Sequence, residues 1–449
     1  MRPTMRMRHP VLLLGLLAAS ACNFDQSTNP NSPDPVGENP SRNEVSVAAN
    51  GMLIAFRNDL ADLPVDMGIV GREVLRLDPS DPRFTTELLH GPLDPGGDPF
   101  GGDHWAEQYV AIREANLLLA VLPTATELTP AEQSAASGYS KTIKALNYLL
   151  ILVTHTQDSI PIVTDTSITA PPAPFATNAA AYDHVITLLD EARTELLAGG
   201  AAFSFTLPPG FAGFNTPATF VQFNRGLRAR VAVYRNDFAG ALAALAESFI
   251  DPAGPLDRGV YMDYGTGAGD LANPLSLDPQ AGENFAHPSL LTGAQLQLDG
   301  TTPDLRFVSK IVTRAPTTLD DLTSNLGWNR YPTPSTPIPI IKNEELILLR
   351  AEASIGLSDL GTALTDINTV RTRSGNLPAL GGFADATAAL DELLYNKLYS
   401  LMFEGGHRWI DARHYGRLGT LPLDRTTGET PDVVFSTLPV PTDEILARQ

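Results

Sequence analysis

NEELILLRAEASIG, residues 343–356, followed by LSDLGTALTDINTVRTRSG, residues 357–375, decides how this chain is read. In the second arm Leu360, Ala363, Leu364, Ile367 and Val370 recur at helical steps and make one apolar stripe. Ser358 is placed to cap the start of that arm and Gly375 its end. Small residues, Ala351 and Ala353, sit in the first arm where a partner helix must come close. The stretch predicts a helical hairpin.

Working outward, the same pattern returns. ATFVQFNRGLRARVAVYR and FAGALAALAESFI predict a second hairpin over 218–250, with Asn236-Asp237 at its turn and Ala229, Ala232, Ala239 and Ala241 as close-contact residues. Residues 104–122, 180–198 and 386–404 each carry a helical stripe. Thr129-Pro130 opens another helix that runs to about Thr154, with Thr129 as cap and Pro130 in its first turn. IPIVTD, 160–165, reads as a short extended piece. Paired helices with small contact residues resemble tetratricopeptide units. The expected fold is mainly α: tetratricopeptide-like helix pairs form a scaffold, with a long irregular, loop-rich insertion at about 251–340 and few short strands.

The start of the chain has a different grammar. Arg2, Arg6 and Arg8 precede an apolar run from Val11 to Leu17 and the small residues Ala18 to Ala21. This is the pattern of a bacterial export signal, residues 1–21. Cys22 follows directly, and it is the only cysteine of the chain. A thiol at that place is expected to be acylated, which anchors the protein by fatty chains. Ala19-Ser20-Ala21 also fits ordinary signal cleavage, which would leave a free thiol. The apolar run is too short for the roughly 20 residues of a membrane span. Residues 22–43 are rich in Pro, Asn, Ser and Asp and are expected to form a disordered tether, leaving 44–449 as the folded body.

Composition narrows the function. The 449 residues carry a formal charge of −20, and removing 1–21 takes three arginines and no acid with it. Such a surface repels nucleic acid, so that class is set aside. Gly and Pro number 36 and 37, so long loops are expected between the helices.

Five stretches stand in order: Trp105…Tyr109…Ile112…Ala115-Asn116; Lys144 to Leu149 followed by Ile160-Pro161-Ile162-Val163; Arg228 to Asp237; Ile341 to Arg373 with its Glu344-Glu345 and Arg350-Ala351-Glu352-Ala353; and Phe403-Glu404-Gly405-Gly406-His407-Arg408-Trp409-Ile410-Asp411-Ala412-Arg413. Together they resemble the SusD/RagB family of outer-membrane nutrient-binding lipoproteins. The matches run from about 105 to 443, the last two within the C-terminal part 341–449. Gly406-His407 before Arg408 departs from the family's usual spacing, and the chain is short for the family, which leaves the size of a ligand site open. The resemblance implies a lipid-anchored, cell-surface protein of the outer membrane. Such a protein binds glycans or other nutrients, without catalysis, and delivers them to a TonB-dependent, SusC-like transporter. A helical interaction scaffold without small ligand and a secreted glycan hydrolase are the competing readings.

Candidate residues follow from their chemistry. Flat rings stack on sugar faces while nearby polar groups hold hydroxyls. Tyr261, Tyr264, Trp328 and Tyr331 lie in or beside the insertion, where the family often displays its binding aromatics, and Asn325 and Asn329 could supply hydrogen bonds. Phe100 is read as an exposed ring, and Arg72 and Arg76 as facing the same cleft. The competing reading is that Trp328 and Tyr331 only pack the insertion onto the helices. Trp105 and Trp409 fall in helical motifs and read as core. Glu404, Arg408, Asp411 and Arg413, with Arg350, Arg371 and Arg373 as counter-charges, read as a structural ion-pair lattice in preference to a ligand clamp. His104 and Glu107 have metal-like spacing but no H-E-x-x-H accompanies them, so no metal and no cofactor is expected. Gly265 to Gly269 lacks the lysine and helix of a phosphate cradle, and no G-x-S-x-G occurs.

Overall fold

A computed structural model describes residues 37–449 apart from 97–99, 101, 156–158, 165–169 and 429. Cys22, the export signal and most of the expected tether lie outside the described residues. The helices are α1 (Arg42–Leu60), α2 (Asp62–Val70), α3 (Glu87–His90), α4 (Asp103–Val121), α5 (Pro130–Thr154), α6 (Asn178–Leu197), α7 (Pro217–Tyr234), α8 (Phe238–Ala246), α9 (Ser289–Thr292), α10 (Leu305–Lys310), α11 (Asn343–Gly356), α12 (Leu360–Arg373), α13 (Ala386–Leu401), α14 (His407–His414) and α15 (Thr442–Leu446). The strands are β1 (Val74–Arg76), β2 (Ile160–Pro161), β3 (Phe175–Ala176), β4 (Gly259–Met262), β5 (Asn284–Ala286), β6 (Ile311–Leu319), β7 (Leu322–Trp328) and β8 (Ile338–Lys342). The fold is mainly α, with few short strands.

Capping chemistry starts the long helices where the sequence places them. Thr129 accepts from the Glu132 amide while the Glu132 side chain returns to Thr129, a closed capping box ahead of Pro130. Ser41 and Glu44 make the same box at α1. Each long helix then buries one face on its neighbour: α1 on α4, α4 on α5, α5 on α6, α6 on α7, α7 on α8, and α11 on both α8 and α12. One apolar core runs through most of the body, and a smaller one lies between α11, α12 and α13. Gly138 on α5 meets the Ala192 carbonyl and Leu196 of α6 so closely that a Cβ there would lie 2.8 Å from the carbonyl oxygen.

Three features differ from the sequence reading. Helices α1 and α2 were not resolved by pattern, because α2 is buried on nearly every side and so shows no stripe. The cap of α12 is Asp359, whose side chain accepts from the Thr362 amide; Ser358 turns through positive φ instead. The insertion 251–340 is not irregular throughout. It carries the longest strands, β6 and β7, joined through Asp320 and Asp321, both at positive φ as a two-residue hairpin turn requires. These strands extend an antiparallel sheet of order β1-β5-β7-β6, in which Val74 faces Ala286 and Phe285 faces Gly327. The hairpin is thereby tied to the chain just after α2.

Among the described residues no helix is long and apolar enough to cross a membrane.

Candidate functional site

The residues singled out by sequence are not brought together in one cleft. Trp328 closes β7, is 6% exposed, and stacks on Phe403 with ring centres 4.6 Å apart. Tyr331 is buried and donates its hydroxyl to the Phe403 carbonyl at 2.9 Å. Tyr264 is buried, Tyr261 is half-buried and donates to the Asp257 carbonyl, Asn325 is exposed on β7, and Asn329 is half-buried. Phe100, expected to be an exposed ring, is 1% exposed and sits edge-on to Phe84. Arg72, expected to face a cleft, is fully buried and donates to the carbonyls of Ile69, Val70, Pro422 and Val433. Arg76 pairs with Asp78 and lies over the Phe84 ring. Trp328 and Tyr331 pack the end of the insertion onto Phe403, between α13 and α14.

The ionic residues form buried clusters, with partners other than those expected. Glu404 is gripped by Lys342 at 2.7 Å, Arg330 at 2.8 Å and Lys310 at 3.5 Å, not by the arginines of 343–373. Burial works against its charge, and the three cations overcome this and hold its carboxyl well below the usual range. Asp411 pairs with Lys397 at 2.6 Å, and Lys397 also reaches Glu352 at 2.8 Å. Arg350 pairs with Asp366 and Arg371 with Glu392, because α12 and α13 present those acids first. Arg413 donates to the carbonyls of Ser436 and Val153, and Arg408 to that of Arg72. Glu73, buried beneath, accepts from the amides of Phe403 and Arg408. Arg373 donates to the carbonyls of Pro252 and Gly254.

His104 is sealed inside, between Asp59 at 2.7 Å and Asp66 at 3.0 Å. Glu107 points away from it and accepts from Asn58. Among the described residues no group of three or more His, Cys, Asp or Glu side chains is placed to hold a metal ion.

A large concavity lies elsewhere, between the start of α4, the chain after β2 and the C-terminal segment. Its volume is about 720 Å³, within the range of small-molecule sites. Trp105, Ala106, Tyr109 and Arg113 of α4 line one side. The opposite wall is the run Pro171-Pro172-Ala173-Pro174, and residues 441–448 close the third. The residues that the family resemblance rests on build this cleft. Tyr109 donates to the Pro161 carbonyl at 2.8 Å, Asn116 to that of Val163 at 3.0 Å, and the Tyr148 hydroxyl accepts from the Val163 amide at 2.8 Å. Lys144 in turn donates to Asn116 at 2.6 Å. These bonds pin 161–163 in place beside α4.

The third wall is held by Arg448. It donates to the Ala173 carbonyl at 3.0 Å, lies over the Phe175 ring at 4.5 Å and pairs with Glu444 at 2.5 Å. The Thr442 amide donates to the Pro95 carbonyl at 2.9 Å. Behind this segment lies a second, shallower hollow lined by Leu93, Phe175, Phe435, Val440 and Ile445. Trp105 is 3% exposed and packs against Tyr109, His155 and Phe175. Its indole Nε1 is buried and has no acceptor, and Arg448 Nε is likewise unpartnered. Trp105 is a core residue, as its place in a helical motif led one to expect; the proline run is the part of the cleft that sequence reasoning passed over, and the run itself was the available signal.

An architecture of helix pairs carrying a small antiparallel sheet is already known from solved structures. No family model and no curated protein matches the chain. Solved structures do. A SusD-like carbohydrate-binding protein from Bacteroides fragilis NCTC 9343 aligns at 14% identity with a TM-score of 0.71, over 90% of this chain and 98% of that one. A laminarin-binding SusD-like protein aligns at 18% identity and a TM-score of 0.67, over 92% and 98%. A SusD superfamily protein from Bacteroides vulgatus aligns at 16% identity and 0.69, over 90% and 97%. The chain has the SusD-like fold over nearly its whole described length.

Proposed function

We propose that this protein is a non-catalytic, cell-surface binder that captures an oligosaccharide or similar nutrient and delivers it to a TonB-dependent, SusC-like outer-membrane transporter. The observation that carries the reading is the likeness, across about 90% of the chain, to a SusD-like protein described as carbohydrate-binding. The 720 Å³ cleft supports it, lined by Tyr109, by prolines and by the charged side chains of Arg113, Asp443, Glu444 and Arg448. Acylation of Cys22 holds the body at the outer membrane, and the tether gives it reach.

Calorimetric titration of the full chain against a glycan array tests capture. Heat of binding without release of reducing ends is expected. Release of reducing ends would restore the hydrolase reading, and silence across the array would favour the scaffold. Detergent phase partition tests the anchor: the mature protein enters the detergent phase, and Cys22→Ala leaves it in the aqueous phase. Partition of both into water would refute lipidation. Co-purification with a barrel transporter tests the partner.

A further inference from the structure

We propose that a small hollow between α13, α14 and residues 417–421 binds a small monocarboxylate, its carboxylate on the Nε–Nη2 edge of Arg408 and its apolar body on Leu394, Leu398 and Leu421. The hollow holds about 250 Å³ and shares no residue with the cleft beside α4. Arg408 lines it and is half-buried. Its Nη1 is spent inside the protein, on the Arg72 carbonyl and the Ser289 hydroxyl. Its Nε and Nη2 find no acceptor among the described residues, and neither atom is sealed from solvent. The other polar side chains of the lining are engaged. Tyr395 donates to Asp304, Thr420 to the Arg417 carbonyl and Arg417 to Asp391, while Asp411 accepts from Lys397.

The same guanidinium edge elsewhere in the chain shows what fits it. Arg230 places Nε and Nη2 on Glu345 at 2.7 and 2.8 Å. Arg350 does so on Asp366 at 2.7 and 2.5 Å, and Arg306 on Asp304 at 2.9 and 2.5 Å. The fork matches a carboxylate in both spacing and charge. At Arg408 no side-chain carboxylate of the described residues takes that edge. Glu73 acts on its charge from nearby but accepts from the amides of Phe403 and Arg408 instead. A carboxylate from outside completes the pair. Its surroundings fix the rest of the ligand. Asp391 and Asp411 stand on the same lining and the chain carries −20, so a dianion is opposed where a single charge is tolerated. The three leucines supply an apolar wall. The volume lies below the roughly 300–1,000 Å³ of drug-sized sites, which limits the body to a branched chain or a single ring.

Ligand-observed NMR and calorimetry on the full chain test this. The probes are isovalerate, phenylacetate and benzoate, each beside its neutral amide, with inorganic phosphate as the competing anion. At least one carboxylate is expected to bind with a Kd of about 1 mM or tighter, and its amide at least about tenfold more weakly. Thr420→Trp fills the hollow from an exposed position and should abolish binding at an unchanged unfolding midpoint. Arg408→Lys keeps the charge, loses the fork and should weaken binding at least about tenfold. If losing the bonds to Arg72 and Ser289 unfolds that variant, Thr420→Trp still decides. Equal binding of acid and amide, preference for phosphate, full affinity in either variant, or silence of all three carboxylates overturns the proposal. Each of these results leaves the reading of the glycan cleft as it stands, because the two sites share no residue.

Discussion

Glu404→Gln isolates the charge at the centre of the C-terminal packing. Glu404 is 6% exposed, and three cations converge on its carboxylate, two of them within 2.8 Å. The amide keeps the shape and removes the charge, leaving Lys310, Lys342 and Arg330 buried around a neutral group. Breaking a buried ion pair on one side costs about 3–5 kcal/mol. Unfolding entropy of about 2.1 cal/mol/K per residue gives roughly 0.85 kcal/mol/K for a body of about 400 residues, so the midpoint should fall by about 4–6 °C. The pH dependence has a definite sign. The folded carboxyl lies below its ordinary value of 4.5, so its stabilisation is complete above that pH and is lost as pH falls through the folded value. Scanning calorimetry of wild type and variant should therefore show a constant gap from weakly basic buffer down to about pH 5, narrowing in stronger acid. A variant that melts within about 1 °C of wild type at neutral pH would refute the assignment of Glu404 as a buried, triply paired carboxylate.

The remaining predictions address other parts of the body. His104→Gln should flatten the alkaline side of the stability profile. Burial lowers the His104 pKa, but Asp59 and Asp66 more than compensate and hold it well above 6.5. Its stabilisation is thus complete below 6.5 and is lost as pH rises through the folded value, and identical wild-type and variant midpoint profiles would contradict that. Trp328→Ala should cost about 3–5 kcal/mol of stability while leaving glycan affinity intact, since the ring packs on Phe403 and lies off the cleft. Loss of binding by a variant that still melts near wild type would return the site to the insertion. Gly138→Val should destabilise by about 1–3 kcal/mol by forcing α5 off α6, measured by denaturant unfolding, and an unchanged midpoint would sink the close contact.

The helices were legible because each long one announces itself locally. Thr129-Pro130 with Glu132, and the stripe from Leu360 to Val370, are short-range signals that need no tertiary partner. The β6–β7 hairpin was not, because its turn is Asp320-Asp321 with no glycine to mark the positive φ angles. Helix α2 was hidden by burial on almost all sides. The ionic clusters show a further limit. Sequence identified Glu404 and Asp411 as paired, but their partners Lys310, Lys342 and Lys397 come from separate elements that only packing brings near. The cleft is the extreme case. Its described walls come from 95–96, 102–113, 161–164, 170–174 and 441–448, so no window of sequence contains it. What sequence did provide were the Tyr109, Asn116 and Tyr148 positions, whose bonds to 161–163 set one wall.

A crystal structure of the full chain with the tightest-binding neutral oligosaccharide tests the central claim most directly. The account predicts intact sugar rings lying between α4 and the 171–174 wall. Sugar seated beside Trp328 and Tyr331, or hydrolysed products in the cleft, would contradict it.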